Sequence, residues 1–322
     1  MDSSRAAWSD LPTEVHHRII HNSSFTDARR LSMLSRHTRH LFIETYVHRL
    51  KVLMSSYDFC YDTVIPAMKF HGAVMNGPLL FALIGESYIG ATDTSGLDFY
   101  VPKGTIDSFE KAILEKTPYK RIDIPRKFDG TELGIYEVGG DTGVNSIRLY
   151  TNSSQRRTFT IIESQDSIAT TAIFLFPTTL GMTYLTWNGL VSAYPLMFLK
   201  GYGIVNHLSW SASKRALAWA SKYAVRGYHT FNDFGGWNQN HHCGLSPYCG
   251  RTTRKLSDRS TMRLPLSHDI SQVDCIDDGL AWQLASRAFC YGSTEITPST
   301  FFDKVPGRIL TSQGLLIGRI DT

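Results

Sequence analysis

Two stretches of the chain carry residue types suited to phosphate and metal chemistry. Gly85-Glu86-Ser87 is a glycine turn, and Gly96-Leu97-Asp98-Phe99 follows it with a single carboxylate. A glycine lets backbone N–H groups come close to a phosphate. Carboxylates two apart on a strand point the same way and can share a pair of magnesium ions. Here Gly96 stands two residues before Asp98, so the pair is reduced to one, and Glu86 in the turn would repel a phosphate. Asp93, in the loop 90–95, is a substitute ligand in principle, without the fixed geometry that magnesium prefers.

Other chemistry-bearing groups lie farther along. His241-His242-Cys243 and Cys249 are zinc-ligand types, and Cys275 or Cys290 could complete a set of four. The two cysteines of the loop are wider apart than zinc pairs usually are, which favours free thiols and loop histidines. Residues 251–263 carry Arg251, Arg254, Lys255, Arg259 and Arg263 against Asp258, with Asp269, Asp274, Asp277 and Asp278 after them. Such segregated blocks usually pair with each other or stay solvated. No Ser/His/Asp arrangement, P-loop or dinucleotide fingerprint occurs.

The elements that must position these groups belong to a globular chain of 322 residues, 42% hydrophobic and 19% charged. A formal net charge of +4 calls for no polyanion partner. Five scattered cysteines (Cys60 with the four above) make no disulfide framework, and residues 1–5 are not followed by an apolar signal segment. An intracellular, reducing location, cytoplasmic or nuclear, is expected. No charge occurs between Asp166 and Lys200, but threonines, Pro177, Asn188 and Pro195 interrupt that stretch. It reads as buried core, not as a membrane span.

Apolar residues recur at helical spacing in three stripes: Val15, Ile19 and Ile20; Leu31, Leu34, Leu41 and Phe42; then Tyr46, Val47, Leu50 and Leu53. Residues 22–27 read as the connector between the first two. The runs 79–84, 97–101, 134–138, 146–150 and 158–162 read as strands, and 106–114 as a helix opened by Thr105. An amphipathic helix is expected over 210–227, closed by Gly227, and an irregular loop over 232–250.

The N-terminal unit resembles an F-box. Leu11-Pro12-Thr13-Glu14-Val15, Ile19-Ile20, residues 28–36 and Arg39-His40-Leu41-Phe42 match that family's stations. The resemblance implies docking onto the Skp-type adaptor of a cullin ubiquitin ligase through Leu11, Pro12, Val15, Ile19 and Leu31. Two departures stand out: a histidine-rich surface (His16, His17, His21, His37, His40, His48), and Asn22 to Phe25 where the family prefers a leucine-bearing turn. The bland alternative is a helical pair packed internally. The run Arg36-His37-Thr38-Arg39-His40 has no aromatic platform beside it and reads as a solvated face, not a nucleic-acid contact.

Residues 64–205 resemble the nucleotidyltransferase-like fold. That family puts Gly-Ser in a strand-to-helix turn and an Asp-x-Asp or Asp-x-Glu pair on the next strand. Its third carboxylate lies on a later strand. By this resemblance Gly85 and Ser87 would be the remnant nucleotide-binding positions, Gly96 replaces the first carboxylate, and Thr160 replaces the third. Glu163 is out of phase with Thr160 and should face away. Leu97-Asp98-Phe99-Tyr100-Val101-Pro102 with the helix after it, and residues 181–187 followed by 190–195, look like segments of a set of fungal proteins that join an F-box-like region to this fold.

The expected architecture is therefore α+β: an F-box-like helical unit (1–50), a degenerate mixed-sheet nucleotidyltransferase-like domain (51–230) with a core of its own, and a C-terminal extension packed on it (231–322). The expected function is a non-enzymatic substrate receptor for a cullin ligase. It would use no cofactor and no bound metal, with a Skp-type adaptor and an unidentified recognised protein as partners. The alternatives are an active transferase using Asp98 with Asp93, and an interaction protein that binds no adaptor.

Overall fold

A computed structural model describes residues 8–84, 96–115, 117–122, 142–152, 157–206, 220–221, 223–225, 227–231, 245–250, 252–267, 273, 280–284, 309–310 and 316–317. After a 3-10 turn, Trp8–Asp10, come four helices: α1 (Thr13–Asn22), α2 (Phe25–Ser32), α3 (Arg36–Ser55) and α4 (Tyr61–His71). Capping residues set the breaks. The Ser24 side chain accepts from the Asp27 N–H to start α2, and Ser35 with Thr38 forms a capping box that starts α3. Residues 25–27 thus open α2 and are not connector. Phe25 is buried there, its ring 5.3 Å from that of Tyr46.

Helix α3 runs without a break through residue 50. Its buried side chains Leu41, Phe42, Tyr46, Leu50 and Met54 belong to the same hydrophobic cluster as the sheet. Among the described residues, the larger domain therefore has no core separate from that of the helices. The helix packs on α1 and α2, and on α4 and α5 (Pro78–Ile84) as well.

The main sheet mixes parallel and antiparallel pairs. Its strands are β1 (Val74–Asn76), β2 (Leu97–Val101), β3 (Lys120–Ile122), β4 (Val144–Asn152), β5 (Arg157–Ser164), β6 (Thr183–Leu185), β7 (Gly189–Ser192) and β11 (Met262–Pro265). They lie in the order β11-β7-β6-β1-β2-β5-β4-β3, and β2–β5 is the one parallel pair among them. Helix α6 (Ile106–Leu114) falls on the residues expected from its spacing. The run 79–84 does not form a strand. Gly77, at φ +108, turns the chain, and Pro78 suits the first position of α5. Burial of nearly every residue in that helix removes the periodicity that separates helix from strand.

One face of β2 and β5 is covered by aromatic rings from Phe59 and from Phe109 of α6, which meet Phe99 and Phe159. The other face carries Tyr100, whose ring lies 6.1 Å from that of Phe176. The uncharged stretch 167–199 supplies α7 (Thr171–Phe174), β6, β7 and α8 (Pro195–Leu199), nearly all buried. Among the described residues, no helix is long and apolar enough to cross a membrane.

Beyond α8, β8 (Tyr202–Ile204) pairs with β9 (His229–Phe231). β10 (Arg254–Lys255), β12 (Ala281–Trp282), β13 (Ile309–Leu310) and β14 (Leu316–Ile317) form a second sheet. The C-terminal region does more than pack on the domain, because β11 is an edge strand of the main sheet, paired with β7. Strands this short leave no alternation to read in a sequence. The expected strand 134–138 lies outside the described residues. Of the expected helix 210–227 only the end is described, with Tyr223 buried and Gly227 at φ +84.

Candidate functional site

The helical unit sorts its apolar side chains into two sets. Ile20, Phe25, Ala28, Leu41, Phe42 and Tyr46 are buried inside it. The residues expected to dock are the ones left accessible: Pro12 is exposed, Val15 is 38% exposed, and Leu11, Ile19 and Leu31 are half-buried. Sequence reasoning missed two neighbours. Met33 and Leu34, just past α2, are 72% and 70% exposed. Leu34 was expected in one apolar stripe with Leu31 and Leu41, but α2 ends at Ser32, so the helical spacing that linked them is broken.

The start of this surface is held by His16 of α1. Its Nε2–H donates to the Trp8 carbonyl at 2.7 Å, and its ring stacks on the Trp8 indole with centroids 4.4 Å apart. The Leu11 N–H bonds the same carbonyl at 3.3 Å. On α3, Glu44 takes His17 at 3.5 Å and His40 at 3.0 Å. Arg36, His37, Arg39 and His40 are exposed, as expected of a solvated face.

The second constellation centres on Asp98, the second residue of β2 and 6% exposed. Its strand partners are Asn76 on β1 and Thr160 on β5. These three side chains form a row across adjacent strands, since directly paired residues point to the same face. Asn76 donates to the Gly181 carbonyl at 2.7 Å. Burial first, and then the nearby Asp98 carboxylate, push the Tyr100 phenol far above its ordinary range. Gly77 sits against this row: a β-carbon there would lie 3.1 Å from the Gly96 carbonyl and 3.6 Å from Asp98 Oδ2.

Glu163 does face away from Asp98. It pairs with Val101 and accepts from the Gly104 N–H at 2.7 Å, Asn145 Nδ2 at 2.6 Å and Ser146 Oγ at 2.9 Å. Burial pushes its carboxyl up, but these donors outweigh it and hold the group below its ordinary range. Glu163 is thus committed to anchoring the loop before α6.

Gly85, Glu86, Ser87 and Asp93 lie outside the described residues, as do His241, His242, Cys243, Cys275 and Cys290. The strand-to-helix glycine turn that adjoins Asp98 is at Asn76-Gly77-Pro78, upstream of where the sequence suggested one. That tripeptide is itself a turn signal and could have been read as one. Cys249 is buried. Among the described residues, no group of three or more His, Cys, Asp or Glu is arranged to hold a metal ion. In the basic block, Arg254 is buried and forks onto Asp258, with Nε–Oδ2 at 2.5 Å and Nη2–Oδ1 at 3.0 Å. It also donates to the carbonyls of Pro247 and Ala193.

Residues 8–49 match the family model of the F-box domain. No curated protein and no solved structure matches the chain.

Proposed function

We propose that the chain is the substrate-receptor subunit of a cullin-type ubiquitin ligase. Its F-box domain docks on a Skp-type adaptor, and the sheet with its C-terminal strands presents the surface that recognises the protein to be modified. The observation that carries this reading is the division of apolar residues within the F-box match. The helices are already closed around Phe25, Phe42 and Tyr46, with Leu31 half-buried against that core, yet Leu11, Pro12, Val15, Ile19, Met33 and Leu34 stay accessible on the outside. Accessible apolar side chains grouped on one small unit favour a protein partner over internal packing.

The sheet is, in this reading, a degenerate nucleotidyltransferase-like domain. The β1–Gly77–α5 turn, the carboxylate on β2 and the parallel neighbour β5 support the likeness. The lone carboxylate argues against retained two-metal transfer, because its strand neighbours are an amide and a hydroxyl. Co-expression of the full chain with a Skp-type adaptor tests the function: the two should co-purify as a stoichiometric complex. Failure of the folded chain to retain adaptor would leave an interaction protein outside the ligase machinery.

A further inference from the structure

We propose that the open face of α4, built from Pro66, Lys69 and Phe70 with Trp187 beside them, is a peptide-binding surface for the client. It fits an extended segment in which an aromatic or aliphatic residue adjoins a carboxylate. The client role rests on the ligase reading above; the binding surface itself does not. Among the described residues, Phe70 is the one aromatic side chain left exposed, at 85%. Pro66 lies one turn before it and is exposed too. Spacings of three and four set Pro66 against both Lys69 and Phe70 on one side of the helix. Neither apolar residue helps the helix. A proline inside it removes a hydrogen bond, and an open phenylalanine buries little. Departures of this kind gather at functional sites. An aromatic side chain at the centre of a contact carries much of its energy.

The neighbours of this pair set the chemistry of what it takes. The Lys69 ammonium lies 4.2 Å from the centre of the Trp187 ring, in the turn between β6 and β7. Lys69 is exposed and Trp187 half-buried, so the ring holds the cation in place at the surface. A cation held in advance loses less freedom when a carboxylate arrives. On the other flank, the His71 ring meets that of Phe70 edge-on, 4.9 Å between centroids. Burial pushes the His71 imidazole below its ordinary value, so at neutral pH it adds a ring and no charge. Of the nearby acids, Asp107 is paired with Arg148 at 2.6 Å, and Asp62 stands two turns back along α4. One cation beside an apolar pair selects a carboxylate next to an apolar anchor. A nucleic-acid strand needs a groove of several cations to track its phosphates, and Lys69 is the one cation of this patch. Helix α4 packs on α3 and α6 and lies outside the F-box match, so the surface is additional to the docking set.

Fluorescence anisotropy on the full chain tests the surface, with labelled random copolymers as probes. A glutamate–tyrosine copolymer should bind, polyglutamate should bind more weakly, and a lysine–tyrosine copolymer should not bind. Phe70→Ala and Lys69→Gln, both at exposed positions, should each weaken binding of the glutamate–tyrosine probe about tenfold, with the melting temperature unchanged. Phe70→Leu keeps an apolar anchor and should keep most of the affinity. Equal binding of polyglutamate, or affinity unchanged in Phe70→Ala and Lys69→Gln, overturns the surface. Stronger binding of single-stranded oligothymidylate through the same two residues assigns the face to nucleic acid and overturns it as well. Retention of the Skp-type adaptor is measured alongside, and both variants should hold it as the wild type does. Probe binding by a chain that retains no adaptor removes the client role and leaves the peptide surface standing. Adaptor retention without probe binding overturns the surface alone.

Discussion

Asp98 and Thr160 are partners across the parallel pair β2–β5, so the sheet sets a hydroxyl, and not a second charge, beside this buried carboxylate. Asn76, the partner on the opposite side, is neutral too and already bonded to the Gly181 carbonyl. We expect purified protein to turn over no nucleoside triphosphate with magnesium or manganese. Product formation that disappears in Asp98→Asn would reverse this conclusion.

Charge placed on the accessible set should break docking without unfolding the chain. Val15→Asp should weaken adaptor binding by about 2 kcal/mol or more, with the melting temperature unchanged. Ile20→Asp, on the buried side of the same helix, should instead cost several kcal/mol of stability, on the order of other buried unpaired charges. Equal thermal losses in both variants would mean that Val15 is core.

Removal of residues 1–50 should destroy cooperative folding of the remainder. The cut falls inside α3 and takes Leu41, Phe42, Tyr46 and Leu50 out of a shared core. Circular dichroism on heating reports this, and a sharp transition in the truncated protein would show a sheet that folds alone.

The Arg254–Asp258 fork should make stability fall in acid. Burial pushes the Asp258 carboxyl up, but the Arg254 guanidinium, the Lys255 N–H and the Thr261 hydroxyl hold it below its ordinary value. Its contribution is therefore complete above the unfolded value of about 4 and is lost as the pH drops through the lower folded value. Asp258→Asn leaves Arg254 buried without its counter-charge and should cost about 3 kcal/mol or more at neutral pH. Urea titrations should show the variant responding less to acid below about pH 4 than the wild type does.

Gly77 should not tolerate a side chain. At φ +108 even alanine is strained, and its β-carbon would press on the Gly96 carbonyl. Gly77→Ala should lower stability by about 1–3 kcal/mol, whereas Gly104→Ala, at φ +81 with no neighbour within 4 Å, should lose less. Equal losses at the two positions would show that backbone strain alone matters.

Much of this was legible in the residues. The F-box stations were read from a resemblance, while α6, β2, the strands β4 and β5 and the outward turn of Glu163 follow from spacing and alternation. What escaped the sequence has physical causes. Helix α5 is buried nearly all round and so carries no period. The boundary after Leu50 lay inside a helix because the buried face of α3 continues to Met54 with no capping residue at that point. Met33 was passed over and Leu34 misread because a helix end exposes them. β11 joined the main sheet through four residues, Met262–Pro265, too few for a pattern.

Helix α3 has a mechanical consequence. Its 20 residues make a rod of about 30 Å. It lies along α1 from His37, beside His16, to Arg49, which donates to the His21 carbonyl, and it packs on α4 and α5 as well. A client gripped by the sheet would then be carried at a fixed bearing and distance from the adaptor. Which of its lysines come within reach of the transferring enzyme would be decided by the stiffness of one helix, and lengthening that helix by a single turn would redirect the modification along the client's surface.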